Sequence, residues 1–106
     1  SLVYLSKEMW RMAMSFSIQR PETPFSQRYS ELDKLICLQF ASLIQVLQKK
    51  GKIASSVDHE AMASVIFNHL NMMFVEFVKS DSMTVKELKT TVRGQVTPLA
   101  RLICTG

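Results

Sequence analysis

Residues 24–51 read PFSQRYSELDKLICLQFASLIQVLQKKG, and this stretch decides the fold class. Its apolar residues recur every three or four positions, which is the period of an α-helix. A first stripe consists of Tyr29, Leu32, Ile36, Phe40, Leu43 and Leu47, and a second set widens it to most of the circumference, namely Leu35, Leu38, Ala41, Ile44 and Val46. A helix that is apolar nearly all round is typical of a buried position, so we expect this helix at the centre of a bundle.

Both ends of this helix carry boundary signals. Thr23 precedes Pro24, a pair typical of an N-cap followed by the first helical position. Lys49 and Lys50 lie in the last turn, where cations favour the helix dipole. Gly51 then supplies a left-handed C-cap. The pattern predicts a helix that ends at about Lys50.

Three further segments repeat apolar residues with the same period. The first runs from about Leu2 to Ile18, and its two apolar strips indicate packing on two sides. The third runs to Lys79 from a cap at Asp58 or Ser56, and the fourth fills residues 84–103. Because no stretch alternates like a strand and nothing repeats, we predict one domain over all 106 residues. Its fold class is all-α, an antiparallel helical bundle of about four helices.

The fourth helix begins with a capping box, in which Thr84 is the cap and Glu87 follows three residues later. Its interior holds two poor helix formers: relative to alanine, glycine costs about 1 kcal/mol and proline about 3 kcal/mol. A proline clashes with the carbonyl four residues earlier, and four residues before Pro98 stands Gly94. We therefore expect a bend near Pro98 and a narrow apolar seam formed by Val85, Leu88, Val92, Val96, Leu99 and Ile103.

Charge and cysteine content narrow the class of protein. The 13 basic and 9 acidic residues give a net charge of +4, and the only basic cluster is Lys49, Lys50 and Lys52. A nucleic-acid surface would concentrate its charge on one face, so a solvated surface is favoured. Cys37 and Cys104 lie among apolar neighbours, which favours buried free thiols in a reducing compartment. Their spacing leaves a disulfide open.

Membrane and export signals are missing from the sequence. No apolar run reaches the roughly 18 residues of a spanning helix. The first residues, SLVYLSKEMW, lack the basic start and the small-residue cleavage site of a signal peptide. They also begin inside a helical pattern, so we expect a fragment of a longer protein, with no membrane partner.

No catalytic or metal-binding motif stands out. The sequence has no Gly-rich phosphate loop, no paired-cysteine motif and no HxxxH pair. His59 and His69 are ten residues apart, so a metal site made from them would need acidic ligands from elsewhere. The carboxylates lie at polar-face or cap positions and form no acid–base pair. We expect no enzyme activity, no catalytic residue, no metal and no cofactor.

Methionines and aromatic residues on neighbouring helices indicate an apolar pocket. The seven methionines suit an adaptable apolar surface, although plain core filling explains most of them. Small-molecule pockets combine apolar walls with a few polar groups. His69 is either such a polar group or a core-edge histidine with one hydrogen-bonded nitrogen. The candidate ligand-binding residues are Trp10, Met14, Tyr29, Phe40, His69 and Met73.

The second half of the chain, residues 47–103, reads LQKKGKIASSVDHEAMASVIFNHLNMMFVEFVKSDSMTVKELKTTVRGQVTPLARLI. It resembles the C-terminal regulatory domain of TetR-family (TetR/AcrR-like) transcriptional regulators. In that family a helix ends in Gly, and an Ile or Leu, a polar link and Asp-x-x-x-Ala follow. The matching residues here are Gly51, Ile53, Asp58 and Met62-Ala63, with Ala61 also available, and later Thr84 with Glu87-Leu88. The segment YLSKEMWRMA is similar to an earlier regulatory helix of the family.

The resemblance implies a cytoplasmic, bacterial, ligand-responsive regulator, usually a repressor, with a pocket for a small apolar or aromatic effector. It also implies a homodimer in which the last two helices pair with their twins as a four-helix bundle. The interface residues would be Val65, Phe74, Leu88, Val92, Val96, Leu99 and Ile103. Family members carry an N-terminal helix-turn-helix domain that this chain lacks, so operator DNA would be bound only through that missing domain.

An alternative is a non-catalytic adaptor from an unrelated family. Such a helical bundle would bind a partner helix through an exposed apolar stripe. The adaptor predicts no enclosed pocket and no need for self-association.

Overall fold

The computed structural model describes residues 2–105, and the side chains of residues 4–105, as four α-helices with short connections. The helices are α1 Leu2–Gln19, α2 Pro24–Lys49, α3 His59–Lys79 and α4 Val85–Ile103. Residues 2–105 contain no β-strand, so the predicted all-α fold of four helices is confirmed. The outermost residues of the predicted domain, Ser1 and Gly106, lie outside the described part of the chain.

Side-chain caps start three of the helices where the sequence predicts them. The Thr23 hydroxyl accepts a hydrogen bond from the backbone N–H of Ser26 at 3.3 Å. The Asp58 carboxylate accepts from the N–H groups of Glu60 and Ala61, each at 3.1 Å. The hydroxyl of Thr84 accepts from the N–H of Glu87 at 3.1 Å. Each cap satisfies amide groups that have no partner inside the helix.

The end of α2 folds the chain back onto the core. Gly51 has a φ of +72°, a left-handed conformation that glycine adopts at little cost. Its N–H donates to the Gln48 carbonyl at 3.0 Å, and the N–H of Lys52 donates to the Leu47 carbonyl at 2.8 Å. This pair of bonds is the Schellman motif. It turns Ile53 inward, where the side chain is buried.

The same turn holds the end of the chain. Ile53 forms an isolated antiparallel bridge with Cys104. The N–H of Ala54 donates to the Ile103 carbonyl at 3.1 Å, and the N–H of Thr105 donates to the Lys52 carbonyl at 3.0 Å. The C-terminal end of α4 is therefore fastened to the α2–α3 connection.

The central helix is α3, which contacts α1, α2 and α4, whereas α2 contacts only α1 and α3. The predicted central position of α2 is therefore wrong. The inner face of α2 packs against α3 in a core of Ala41, Ile44, Ile53 and Ala63, flanked by Phe40, Leu47, Val57, Met62, Ile66 and Ile103. Its outer face leaves Leu32, Leu35, Ile36, Leu38, Leu43 and Val46 exposed. No element within residues 2–105 covers that face.

The bundle is a flat slab with a large surface. Its Cα atoms span 42 × 33 × 17 Å, and the radius of gyration is 16.1 Å, against about 13 Å for a compact domain of this length. The accessible surface is 7747 Å², about 1,700 Å² more than the roughly 6,000 Å² of a compact monomer of this size. Many large apolar side chains are among the exposed residues.

Among the described helices, α3 is long and apolar enough to cross a membrane by length and composition alone. It packs against the three other helices, and its middle carries polar side chains, among them Asn68, His69 and Asn71. Core helices of soluble proteins, which are mostly buried, pass the same test, whereas 22% of the apolar window of α3 is buried here.

α4 runs through Gly94 and Pro98 without interruption. Gly94 is exposed, and a Cβ built on it would meet nothing within 4 Å. Two residues along a helix turn the side chain by about 160°, so Gly94 faces away from Val92. The Thr97 hydroxyl donates to the Arg93 carbonyl at 2.6 Å, the kind of side-chain bond that often bends helices. The bend near Pro98 stays a prediction.

Candidate functional site

A cavity of about 390 Å³ lies among α1, α2 and α3, and we call it the interhelical cavity. Its volume falls within the roughly 300–1,000 Å³ of small-molecule sites. The walls are lined by Arg11, Met14, Ser17, Ile18, Tyr29, Asn71, Val75, Val78 and Lys79. Apolar side chains thus alternate with a few hydrogen-bonding groups, the composition expected of a ligand pocket.

Two polar groups of the interhelical cavity are held in defined states. Arg11 donates from Nε to the Val78 carbonyl at 2.7 Å and forms an ion pair with Asp81. The ion pair includes a hydrogen bond from the guanidinium to the Asp81 carboxylate, which raises the pKa of Arg11. The Arg11 side chain is charged, as arginines in proteins are. Burial, and then the Asp33 carboxylate, raise the pKa of the Tyr29 phenol. Tyr29 is therefore a neutral hydroxyl at physiological pH, able to donate a hydrogen bond.

A row of aromatic rings runs beside the interhelical cavity and joins its three helices. Trp10 meets Tyr29 edge-on at 6.5 Å and Phe74 at 5.3 Å between ring centroids. Phe25 continues the row, at 6.1 Å from Tyr29 and 5.6 Å from Phe16. These distances and tilts suit the ring quadrupoles. The sequence singled out Trp10 and Tyr29, and the i, i+4 spacing of Phe25 and Tyr29 is a signal that could have added Phe25.

The six candidate ligand-binding residues lie in three different places. Met14 and Tyr29 line the interhelical cavity, and Trp10 packs beside it on Tyr29. Phe40 packs against the core between α2 and α3. His69 and Met73 line a separate cavity between α3 and α4. The structure thus brings Met14, Tyr29 and Trp10 together, and the role of each residue in ligand binding stays a prediction.

The second cavity, which we call the α3–α4 cavity, has a volume of about 150 Å³. It is lined by His69, Met72, Met73, Glu76, Met83, Leu88, Thr91 and Gln95. The Nε2 atom of His69 is buried and has no hydrogen-bond partner among residues 2–105. Because buried polar atoms are normally hydrogen-bonded, we expect this nitrogen to pair with a group that residues 2–105 do not provide.

The residues of the predicted dimer interface divide between surface and interior. Leu88, Val92 and Val96 line an open groove of about 760 Å³ along α4, together with Lys89, Arg93, Thr97, Ala100, Arg101 and Cys104. Val65 is exposed on α3, and Leu99 is half-buried. Ile103 packs against the core, and Phe74 packs on Trp10 of α1. The pairing of α3 and α4 with a second subunit stays a prediction.

Lys7 and Arg11 form a polar junction that sequence reasoning missed. Lys7 is 2% exposed, and its ammonium donates to the carbonyls of Ser80 and Met83 at 2.6 Å each. Arg11 binds the Val78 carbonyl and the Asp81 carboxylate. Lys7 and Arg11 together hold α1 against the end of α3 and the loop that follows it. The sequence carries no local signal for the burial of Lys7, because its partner carbonyls lie more than seventy residues further along the chain.

The donor atoms of the described residues limit the chemistry of these sites. No group of three or more His, Cys, Asp or Glu side chains in residues 2–105 could hold a metal ion. Both cysteines are free thiols. The predicted burial is wrong for Cys104, which is exposed because it follows the last turn of α4 at the surface, and Cys37 is only half-buried.

No protein-family model, curated protein or solved structure matches the chain. The described residues form an all-α bundle with more than one surface cavity of small-molecule size, and many of its large apolar side chains are open to solvent. Any function assigned to it rests on these features and on the sequence motifs.

Proposed function

We propose that residues 1–106 are the ligand-sensing and homodimerisation domain of a TetR-like transcriptional regulator, a cytoplasmic repressor that responds to a small apolar or aromatic effector. The observation that carries this proposal is the interhelical cavity, with its volume of about 390 Å³ and its mixed lining. The cavity is a partly open cleft between the helices, and a cleft of this size is a feature that the adaptor alternative does not need. The resemblance to TetR-like regulators rests on the sequence motifs at Gly51, Asp58 and Thr84.

The cavity is connected to α4 through Arg11. This side chain lines the cavity and also binds the Val78 carbonyl and the Asp81 carboxylate at the start of the α3–α4 loop. An effector with a hydrogen-bond acceptor would compete for the guanidinium and so loosen that loop. Ligand binding would then favour one of two arrangements of α4, as a two-state switch requires. In the intact regulator the shift would alter the spacing of two DNA-reading heads set about one DNA turn apart.

The large surface supports self-association. A standard interface buries about 800 Å² per partner, and the slab exposes about 1,700 Å² more than a compact monomer would. The α4 groove supplies an apolar strip through Leu88, Val92 and Val96. A dimer formed on this strip would bury part of the excess.

The pocket can be tested with 1-anilinonaphthalene-8-sulfonate, a fluorescent aromatic anion that suits apolar walls beside Arg11 and Lys79. Val75→Trp fills part of the interhelical cavity, and we expect it to weaken binding of this probe at least tenfold. Val46→Trp makes the same change on the exposed face of α2 and should leave the affinity unchanged. Equal affinities for the two variants would contradict the pocket.

The dimer can be tested by light scattering after size-exclusion chromatography at micromolar protein. We expect the mass of a dimer for the chain and of a monomer for Val96→Glu, which places a charge in the α4 groove. Leu102→Glu lies on the same helix, 83% exposed and outside the groove, and should remain a dimer. A monomeric parent chain would contradict the proposal.

A second candidate, the partner-binding adaptor, is favoured by the outer face of α2. Its residues Leu32, Ile36, Gln39, Leu43 and Val46 follow spacings of four and three, as in a coiled-coil seam. Four of these residues are exposed, namely Leu32, Ile36, Leu43 and Val46. If Leu43→Glu dissociates the chain in the scattering experiment and Val96→Glu does not, this α2 seam is the association surface and the adaptor is preferred.

A further inference from the structure

A buried ring nitrogen without a partner marks the α3–α4 cavity. His69 Nε2 has no hydrogen-bond donor or acceptor within reach among the described residues. Buried polar atoms in folded proteins are nearly always paired, because an unpaired one keeps the full cost of its desolvation. The orphaned nitrogen therefore points to a group bound from solution.

Three methionines line the same cavity as His69. They are Met72, Met73 and Met83. His69 and Met73 are four residues apart, so both lie on one face of α3, and Met83 comes from the loop before α4. Met73 is buried, and Met83 is half-buried. Three of the seven methionines thus share one small cavity with this imidazole.

The size of the α3–α4 cavity restricts its occupant. Its volume is about 150 Å³, which is below the roughly 300 Å³ at which small-molecule sites begin. It equals the volume of about five water molecules at roughly 30 Å³ each. An ion or a few waters fit there, and the effector proposed for the interhelical cavity does not.

We propose that the α3–α4 cavity binds a soft monovalent metal ion, Cu(I) or Ag(I), through the imidazole of His69 and the thioethers of Met73 and Met83. Thioether and imidazole ligands select soft ions. Zinc requires sets of cysteine, histidine and carboxylate, and residues 2–105 contain no group of three such side chains. Met72, on the exposed side of the cavity, can supply a fourth ligand. The bound ion would join α3 to the loop before α4.

The test is a titration with Ag(I), followed by calorimetry and by NMR of 13C-methyl-labelled methionines. Cys37→Ser and Cys104→Ser are introduced in the full chain, because both thiols are free and would otherwise compete for the ion. We expect one equivalent of Ag(I) to bind and to shift the methyl signals of Met73 and Met83. The signals of Met9 and Met12, exposed on α1, should stay in place.

Conservative variants separate ligation from structure. Met73→Leu and Met83→Leu keep the approximate side-chain volume and remove the sulfur, and each should weaken Ag(I) binding at least tenfold. Met12→Leu is the matched control and should not change it. If Met73→Leu fails to fold, Met83→Leu in the loop gives the same readout.

Three results would overturn the site. The first is binding that disappears when the cysteines are replaced. The second is an affinity for Zn(II) as high as that for Ag(I). The third is the absence of a selective methyl shift, which would mean that the cavity holds water alone.

Discussion

The Nζ atom of Lys7 lies 4.2 Å from the centroid of the Phe77 ring. The same ammonium donates to the carbonyls of Ser80 and Met83, which follow the last turn of α3. The negative end of the α3 dipole and the face of an aromatic ring both attract a cation. Three favourable contacts thus hold a lysine inside the bundle.

We expect Lys7→Met to lower the free energy of unfolding by about 2–4 kcal/mol. Methionine keeps most of the aliphatic stem but removes the donors, so two carbonyls lose charge-assisted hydrogen bonds with a net worth of roughly 1.5–3 kcal/mol each, and removal of the buried charge offsets part of this loss. Urea denaturation measures the change. Lys34→Met, on the exposed surface of α2, is the control and should stay within about 0.5 kcal/mol. Equal stability of the two variants would mean that Lys7 contributes no more than a surface lysine.

Gly94→Ala should stabilise the monomer by about 0.5–1 kcal/mol. The added methyl group meets nothing within 4 Å, and alanine removes the entropy cost of glycine in a helix. Thermal unfolding measures the change. Gly51→Ala is the matched comparison and should destabilise, because φ is +72° there. A destabilised Gly94→Ala chain would show that another backbone packs against this position.

The helices and their ends could be predicted because their signals are local. Thr23, Asp58 and Thr84 cap amides two or three residues away, and Gly51 turns the chain on itself. Such signals lie within one stretch of sequence and need no knowledge of the partner elements. All four helices accordingly begin and end within about two residues of the predicted positions.

The packing could not be predicted because it depends on distant elements. The pattern of α2 shows how much of its circumference is apolar, but not that only one side meets α3. Similarly, Lys7 finds its carbonyl partners more than seventy residues along the chain, so its burial has no local signal. His69 and Met14 look equally suited to one pocket in the sequence, yet His69 lines the α3–α4 cavity and Met14 lines the interhelical cavity.

The pKa of Tyr29 should fall, yet remain above its usual value near 10, when Asp33 is changed to Asn. Burial is the larger cause of the raised pKa and stays, while the contribution of the Asp33 carboxylate is removed. Phenolate absorbance measures the pKa in a Tyr4→Phe background, where Tyr29 is the remaining tyrosine. An unchanged pKa would mean that the two groups do not interact.

The same raised pKa values give a sign for the pH dependence of stability. A phenol whose folded pKa is raised favours folding below the pKa of the unfolded chain, and this contribution is lost as the pH rises through the folded pKa. Burial also raises the pKa of Asp33. Its contribution to stability is therefore present below the unfolded pKa of this carboxyl and is lost as the pH rises through the folded pKa. At neutral pH Asp33→Asn should therefore slightly stabilise the fold, and a marked loss of stability would contradict this.

Phe40→Ala and Met14→Ala should separate core packing from ligand binding. Phe40 packs against the α2–α3 core, so its truncation should cost about 3–5 kcal/mol of stability and leave the affinity for 1-anilinonaphthalene-8-sulfonate unchanged. Met14 lines the interhelical cavity, so its truncation should weaken probe binding several-fold. Met12→Ala, two residues away and 71% exposed, should change neither quantity. Fluorescence titration and urea denaturation on the same samples measure both. The binding titration is done without urea, where the Phe40→Ala variant is fully folded. Weaker probe binding by this variant would mean that Phe40 contributes to the ligand pocket and that the cavity extends to the core of the bundle.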